Sequence, residues 1–499
     1  MKNLYIEPDA AENDVLACAA FVAERVNSSD GHGEAIKAIV PRYLQRGEVD
    51  LCAQMADAVD DNFARDRLLA DIAEHCARTN DDEYALQLAD AAEDYSSRSI
   101  ARERLAAAKA EMHEFDKAME IAESLDHREN AYSSIAFHRA ALGENEAAEE
   151  LINLIEFPAL RAKTYAEIAA DRLANDKKPE AESYLDAAAT AAAESEHVEE
   201  KLREMCEISG LWLRAGRKDR AIELISAARD IAEQMEHRSW RDYWLAQIAQ
   251  LYFQCESVEL AERALDMIDD KQYFALCLKR FAERKHVGGQ TDEALEDLEE
   301  GRALLISQKI NEIRDSRARY ELLAAIAIDF ATYGKAERAL HAAQEIEEET
   351  TRNRALQGIA SACVMLENEI TANQALQAID DDAAKIFGLI GVSDAYKTLG
   401  NNEKALQLLG DAHQLSEETP QLPARSMALN ELAVRFADLG DRDKAAAVML
   451  ENLQIIERIL DTSIKATALV AASDVYAKLE LPVGEEEKKV LRKMVGVLV

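Results

Sequence analysis

The sequence predicts an all-α solenoid of about 13 antiparallel helix pairs, and three observations carry that expectation. Only 7 Pro and 18 Gly interrupt 499 residues that are 48% hydrophobic. That is too apolar for disorder and too poor in breakers for an all-β protein. One phrase recurs, in "TLGNNEKALQLL" from Thr398, "DLGDRDKAAAVM" from Asp438 and "RAGRKDRAIELI" upstream. Each copy is a Gly, four mostly polar residues, an Ala, then an apolar run. The spacing of apolar residues on both sides of the phrase has the helical period, which makes a helix–turn–helix unit.

The Ala five residues after the Gly serves as an anchor. The same frame recurs at Cys52, Ala85, Ala118, Ala148, Ala181, Ala221, Ala261, Ala294, Ala339, Ala372, Ala405 and Ala445, with Glu485 a degenerate thirteenth. Subtracting each position from the next gives steps of 33, 33, 30, 33, 40, 40, 33, 45, 33, 33, 40 and then 40. There is thus a 33-residue base repeat with 40- and 45-residue long units, and periods in this range signal stacked helical pairs.

Each element of the frame has a physical reason. Twelve residues before the anchor stands a small side chain: Ala73, Ala106, Ala136, Ala169, Ser209, Ala249, Ala282, Ala327, Ala360, Ser393, Ala433 and Ser473, with Val40 the exception. A small residue there lets two helices approach closely. The apolar residue just before it, such as Ile72 or Leu432, fills the space beside the contact. Four after the anchor lies a further core position, for example Ile152, Leu185 or Leu409. The 40-residue units add seven residues, about two helical turns. The expectation is one turn at the end of the second helix and one at the start of the next pair.

The chain divides on this reading into an N-terminal capping helix (1–32), N-terminal repeats (33–287), C-terminal repeats (288–481) after the Gly288-Gly289 joint in "RKHVGGQ", and a C-terminal capping helix (482–499). Residues 14–26 read as an unpaired first helix. In the tail, Val490, Leu491, Met494, Val495 and Leu498 form one apolar stripe. A solenoid needs such amphipathic caps. The 45-residue unit between Ala294 and Ala339 is the least regular and is the expected place of a bend.

The formal net charge is −38, from 58 basic and 96 acidic residues. Such a surface disfavours nucleic acid and anionic membranes. Seven scattered Cys without a Cys-x-x-Cys pair suggest reduced, buried thiols. The acidic start "MKNLYIEPDAAENDV" lacks the features of a signal peptide, and no run approaches the ~18 apolar residues of a membrane span. The expected location is cytoplasmic.

The frame resembles the tetratricopeptide repeat (TPR) family. That family pairs a small residue in helix A with an Ala in helix B twelve positions on, across a Gly-type turn. "LGNNEKA", "LGDRDKA", "AGRKDRA" and "LGENEAA" match that turn, and the resemblance covers residues 33–481. The base unit is one residue shorter than is usual in the family, and the Pro that commonly ends it is mostly absent. The resemblance implies a right-handed superhelix with a concave groove lined by helix A.

A cation stands twenty residues before most anchors: Arg65, Arg98, Arg128, Arg161, Lys201, Arg241, Arg319, Arg352, Lys385, Arg425 and Lys465. Units that run directly into the next helix carry an acid eight after the anchor: Asp60, Glu93, Asp126, Glu156, Asp269, Glu347 and Asp380. Acid at the end of one helix and Arg near the start of the next suggest an ion-pair ladder, with the last carbonyls of the preceding helix as further acceptors.

Catalytic motifs are missing: no phosphate-binding glycine loop, no nucleophile elbow, no His-Glu-x-x-His. Glu-x-x-His occurs at Glu194/His197 and Glu283/His286, about as often as chance gives for this composition, so neither a metal nor a cofactor is expected. All three Trp lie between Trp212 and Trp244, with Trp240 the third, beside Tyr243, Tyr252, Phe253, Tyr273, Phe274 and Phe281. Trp212 and Tyr252 stand nine before their anchors, a packing position. The groove positions implied by the TPR resemblance give Arg203, Arg214, Tyr243, Gln250, Phe253, Gln254, Lys279 and His286 as candidate partner-binding residues. Aromatic and Arg groups meeting in a concave surface fit a binding hot spot. The sequence therefore reads as a non-catalytic scaffold, monomer or homodimer, that binds a protein or peptide. A peptide-sensing regulator of the same fold is the alternative, and an enzyme, for which no residue set argues, is the second.

Overall fold

The structure, a computed structural model, describes residues 6–307 and 316–498. Among them are 28 helices and no strand, arranged as an all-α solenoid. Helix A of the successive pairs is α3 (Ser29–Gln45), α5 (Asn62–Arg78), α7 (Tyr95–Glu111), α9 (Glu129–Ala141), α11 (Pro158–Ala174), α13 (Val198–Arg214), α15 (Arg238–Gln254), α17 (Lys271–Val287), α19 (Ser316–Thr332), α21 (Glu349–Met365), α23 (Asp382–Thr398), α25 (Leu422–Asp438) and α27 (Thr462–Lys478). Helix B is α4 (Val49–Asp57), α6 (Asp82–Asp90), α8 (Phe115–Glu123), α10 (Asn145–Asn153), α12 (Lys178–Glu194), α14 (Lys218–Glu233), α16 (Val258–Asp266), α18 (Thr291–Ser307), α20 (Ala336–Gln344), α22 (Glu369–Gln377), α24 (Asn402–Glu418) and α26 (Arg442–Arg458). Three helices stand outside this alternation: α1 (Pro8–Asn13), α2 (Val15–Ala23) and α28 (Glu485–Leu498).

The chain forms two compact units, Met1–Leu68 with Ile306–Val499, and Leu69–Leu305. Their boundaries fall inside α5 and α18. Gly288 and Gly289 form the turn between α17 and α18, just ahead of the Ala294 anchor, where every unit has its turn. The stretch 308–315, within the interval where the sequence places a bend, lies outside the described residues, as does the Leu498 side chain.

The anchors Cys52 to Ala445 and the small residues twelve before them are buried. Two hydrogen bonds measure how closely the helices meet there. Cys52 Sγ lies 3.6 Å from the carbonyl of Val40, and Ser393 Oγ donates to the carbonyl of Ala405 at 2.9 Å. The turn between them is equally uniform. A residue five before each anchor has left-handed φ, from Gly47 (78°) and Asn80 (64°) to Glu367 (59°), Gly440 (90°) and Glu480 (53°). Glycine takes that conformation without steric cost, but Asn80, His113, Asp176, Glu256, Glu367 and Glu480 take it too.

The extra residues of the long units are distributed differently from the expectation. Helix A is 17 residues in short and long units alike, and helix B absorbs the whole insertion: nine residues in α6 or α22, 17 in α12, α24 and α26. The next helix A keeps its register because its own anchor contact fixes where it starts. The shortest interval, between Ala118 and Ala148, has the complementary cause. Helix α9 has 13 residues and lacks its first turn.

Residues 14–26 do not form an unpaired helix. Every residue of α2, from Val15 to Ala23, is buried. It packs along α27 as extensively as a helix B packs on its own helix A elsewhere, and it also touches α1, α3 and α28. Its nine residues match a short helix B. Counted from its first residue it has Cys18 at the anchor position, as α4 has Cys52, so that Val15-x-x-Cys18-Ala19 recurs one unit later as Val49-x-x-Cys52-Ala53. The last helix pair thus takes its second helix from the start of the chain. The expected thirteenth anchor, Glu485, is exposed instead, because a carboxylate buried at a close helix contact would go unpaired. Helix α28 lies against α26, α1 and α2, burying Val490, Leu491, Met494 and Val495. Arg42 holds Asp474 through two nitrogens (3.1 and 2.8 Å), and Arg492 meets Glu12 at 3.1 Å.

The cation ladder exists but pairs differently. Toward the preceding helix end the Arg residues reach backbone: Arg98 donates to the carbonyls of Ala92 and Glu93 (3.0 and 3.3 Å), Arg161 to Ile155 (2.8 Å) and Arg352 to Ile346 (3.1 Å). Several reach a carboxylate on or just past their own helix B, while Arg65 pairs with its neighbour Asp66 at 3.3 Å. Examples of the former are Arg161–Glu194 (2.6 Å), Arg241–Asp269 (2.7 Å) and Arg425–Glu451 (2.6 Å). Of the acids eight after the anchors, Glu347 accepts from the Tyr320 hydroxyl at 2.9 Å.

Three outcomes are expected. Ala433→Leu overpacks a closed contact and lowers stability by roughly 1–3 kcal/mol in urea unfolding. Glu367→Gly relieves a left-handed side chain and stabilises the chain by about 1 kcal/mol, read as a higher urea midpoint, while Gly400→Ala lowers it by about as much. Glu451 is held below the usual carboxylate range by its His413 hydrogen bond, against burial, with Arg425 adding to it. Its contribution is present above the unfolded carboxylate pKa of about 4.3 and is lost as pH falls through the folded value. The acid limb of a stability–pH profile should flatten in Glu451→Gln.

Candidate protein-interaction surface

The candidate residues lie on α13, α15 and α17, within one compact unit. Arg203 and Arg214 are exposed, three helical turns apart on α13. Arg203 Nε donates to Glu204 Oε1 at 3.1 Å. Glu204 is itself buried, and burial pushes its carboxyl above the usual range despite the Arg203 bond.

Tyr243 is half-buried in an edge-to-face cluster, with ring centroids 6.2 Å from Trp240, 5.0 Å from Trp244 and 6.0 Å from Tyr273. Trp240 is the open member at 45% exposure, and Trp244 is buried. Phe253 is also half-buried and stacks on Phe281 at 4.2 Å and 15°. Both rings therefore spend part of their surface joining α15 to α17. Gln254, the last residue of α15, is exposed. Gln250 is only 6% exposed, and its amide faces Cys277 Sγ at 4.0 Å. Lys279 is paired with Glu283 one turn on, and His286 Nδ1 lies 3.1 Å from the Thr291 hydroxyl. The structure thus leaves Arg203, Arg214 and Gln254 open, holds Tyr243 and Phe253 half open, and commits Gln250 to the interior. Trp212 and Tyr252 pack inside, where Tyr252 donates to Ser226 at 2.9 Å.

No family model matches the chain, and no curated protein matches its sequence. Solved structures do. Ton1535 from Thermococcus onnurineus NA1 is 16% identical, covering 81% of this chain and 98% of its own, with a TM-score of 0.25. The apo form of the quorum sensor NprR from B. thuringiensis is 14% identical over 73% of this chain and 100% of its own, at 0.26. A signal-transduction ATPase with a tetratricopeptide repeat sensor, PH0952 from Pyrococcus horikoshii, is 14% identical over 72% and 55%, at 0.29.

One feature has no counterpart in the sequence pattern. A cleft of ≈ 410 Å³ opens between α6, α7 and α8, walled by Leu86, Leu105 and Ile121. Another of ≈ 490 Å³ lies between α20, α21 and α22, where Leu340, Gln344, Leu356, Gln374 and Ala378 stand at the frame positions that Leu86, Asp90, Arg102, Glu120 and Ser124 hold in the first. Both sit between consecutive short helices B. A nine-residue helix covers about half the length of a 17-residue one, so the gap follows from unit length. In the first cleft the charges neutralise one another. Lys109, 1% exposed, donates to the carbonyl of Ala77 at 2.8 Å and meets Asp82 and Glu114. Lys117 meets the same carboxylates at 2.6 and 2.9 Å. Burial pushes Asp82 up, but the hydrogen bonds from Lys109 and Lys117 hold it below the usual range.

Among the described residues no group of His, Cys, Asp and Glu is gathered to hold a metal, and no helix is long and apolar enough to cross a membrane. Glu194 and His286, one from each Glu-x-x-His, are engaged by Arg161 and Thr291. Lys109→Met should lower stability by roughly 1.5–3 kcal/mol, the usual worth of a hydrogen bond to a charged group. Lys117→Met, on the open side, should leave the urea midpoint almost unchanged.

Proposed function

We propose that the chain is a non-catalytic protein-interaction scaffold of the TPR kind that takes a peptide or partner domain on the face of α13, α15 and α17. The observation that carries the reading is the aromatic cluster of α15. Trp240 is largely open and Tyr243 half open, with two exposed cations, Arg203 and Arg214, on the preceding helix A. An aromatic ring already held on one face by its neighbours loses little freedom on binding and still has surface to bury. The flanking guanidiniums suit a partner that brings carboxylates to this face, against the acidic character of the chain as a whole.

Phe253 belongs to the same surface, but its stack on Phe281 makes its truncation a packing change as well. The sharper test is therefore Trp240→Ala with Tyr243→Ala. Partners are captured from the native cell with the unaltered chain, and affinities are then compared. The double change should weaken binding at least about tenfold, as expected for loss of a hot spot, with helicity unchanged by circular dichroism. Equal affinity for the two proteins would overturn the assignment of this face.

A further inference from the structure

The seam between the two ends of the chain is not covalent. Helix α2 fills the helix-B place beside α27, while in the other pairs a short turn joins helix A to its helix B. What holds the seam is apolar burial of all nine residues of α2, supported by Arg42–Asp474 and Arg492–Glu12 at its margin. The Ser463 hydroxyl also donates to the carbonyl of Gly31 at 3.2 Å. A helix that is apolar all round cannot be left in water. If the seam opens, the start of the chain (α1–α3) and its end (α26–α28) each expose a face whose complement is the other.

We propose that this seam is a self-association surface, and that the partner it fits is a second copy of this chain. The helices α1–α3 of one copy dock on α26–α28 of the other in the way they dock on their own. An exchanged dimer makes the same two seams as two separate monomers. The balance between them is then set by the tether. At low concentration the chain's own N-terminal helices win through their effective concentration, and at high concentration those of a second copy compete.

The geometry supplies a probe. A Cβ built on Gly31 would lie 3.0 Å from Ser463 Cβ, slightly closer than the about 3.5–4.5 Å of a disulfide, and would require the Ser28 hydroxyl to turn aside. The natural thiols are poor competitors, since all seven Cys are buried or half-buried, and burial raises Cys18 and Cys206 to about 12. Full-length Gly31→Cys/Ser463→Cys, oxidised when dilute, should close within one chain, which checks the seam itself. The decisive sample mixes full-length Gly31→Cys with full-length Ser463→Cys. After unfolding in urea, refolding together and mild oxidation, a 31–463 link between two chains can form only across an exchanged seam. The expected result is that link, confirmed by peptide mapping, with the ratio of dimer to monomer rising about tenfold for a tenfold rise in protein concentration while monomer predominates. No such link at any concentration, while the double variant closes within one chain, overturns the proposal. If the double variant does not close, sedimentation of the unaltered chain refolded at low and high concentration decides, and a monomer throughout overturns it.

Discussion

The close contact of two small side chains, one on each helix of a pair, is the constraint on which the rest of the structure depends. Where Ser393 meets Ala405, the two backbones come close enough for the hydroxyl of one to reach the carbonyl of the other. Contact at that distance tolerates no slippage. It fixes how many residues the turn may contain, and with the count fixed, the residue five before the anchor must be left-handed. The six positions where an Asn, Asp, His or Glu occupies that conformation show which requirement prevails. The local cost of about 1–2 kcal/mol at a side chain with positive φ is accepted because the alternative is loss of the helix contact. Glu480 makes the same turn even though the helix that follows it goes elsewhere.

A fixed contact at one end of the hairpin leaves the other end free to vary, and helix B is where the variation appears. With nine residues it stops halfway along helix A, and the space beyond it is open or charged. This explains why the two clefts share frame positions although their chemistry differs, ionic in one and amide-rich in the other. It also explains the direction of the Arg ladder. An Arg in the first turn of helix A lies beside the end of the preceding helix B, where carbonyls lack partners, and beside the end of its own helix B, where a carboxylate can be reached. Carbonyls take the short reach and carboxylates the long one. Arg161 and Arg425 show both ties at once, to their own hairpin by charge and to the preceding helix end by backbone.

Most of this architecture is legible because the small-residue pairs and the turn recur in plain sequence order. What is not legible falls where the physics is not sequential. In sequence an anchor is recognised by the turn before it. Cys18 has none, since its helix A is α27, near the other end of the chain. The repeated Val-x-x-Cys-Ala at Val15 and Val49 is the available signal. Symmetry between the two helices would split the insertion of the long units, whereas anchoring assigns all of it to helix B. At the candidate surface the groove positions include Arg203, Arg214 and Gln254, which are open. The frame could not tell that Phe281 would cover one side of Phe253, or that Gln250 would turn toward Cys277, because both depend on which side chains the neighbouring helix presents.

The two ends of the chain carry the same constraint to its last consequence. A solenoid of apolar hairpins must finish with polar-faced caps or leave core exposed. Here the tail cannot supply a thirteenth helix B of the usual kind, because Glu485 stands where a small buried residue is required, and Pro482 and Gly484 delay the helix. The beginning of the chain can, since Val15–Ala23 has Cys18 at the anchor position and no charged side chain to bury. Placing α2 beside α27 buries the open face of that helix A and the apolar surface of α2 in one step. It leaves α28 free to do the remaining work, laying its stripe of Val490, Leu491, Met494 and Val495 against the outside of the same joint. The two segments that read separately as caps therefore cover each other.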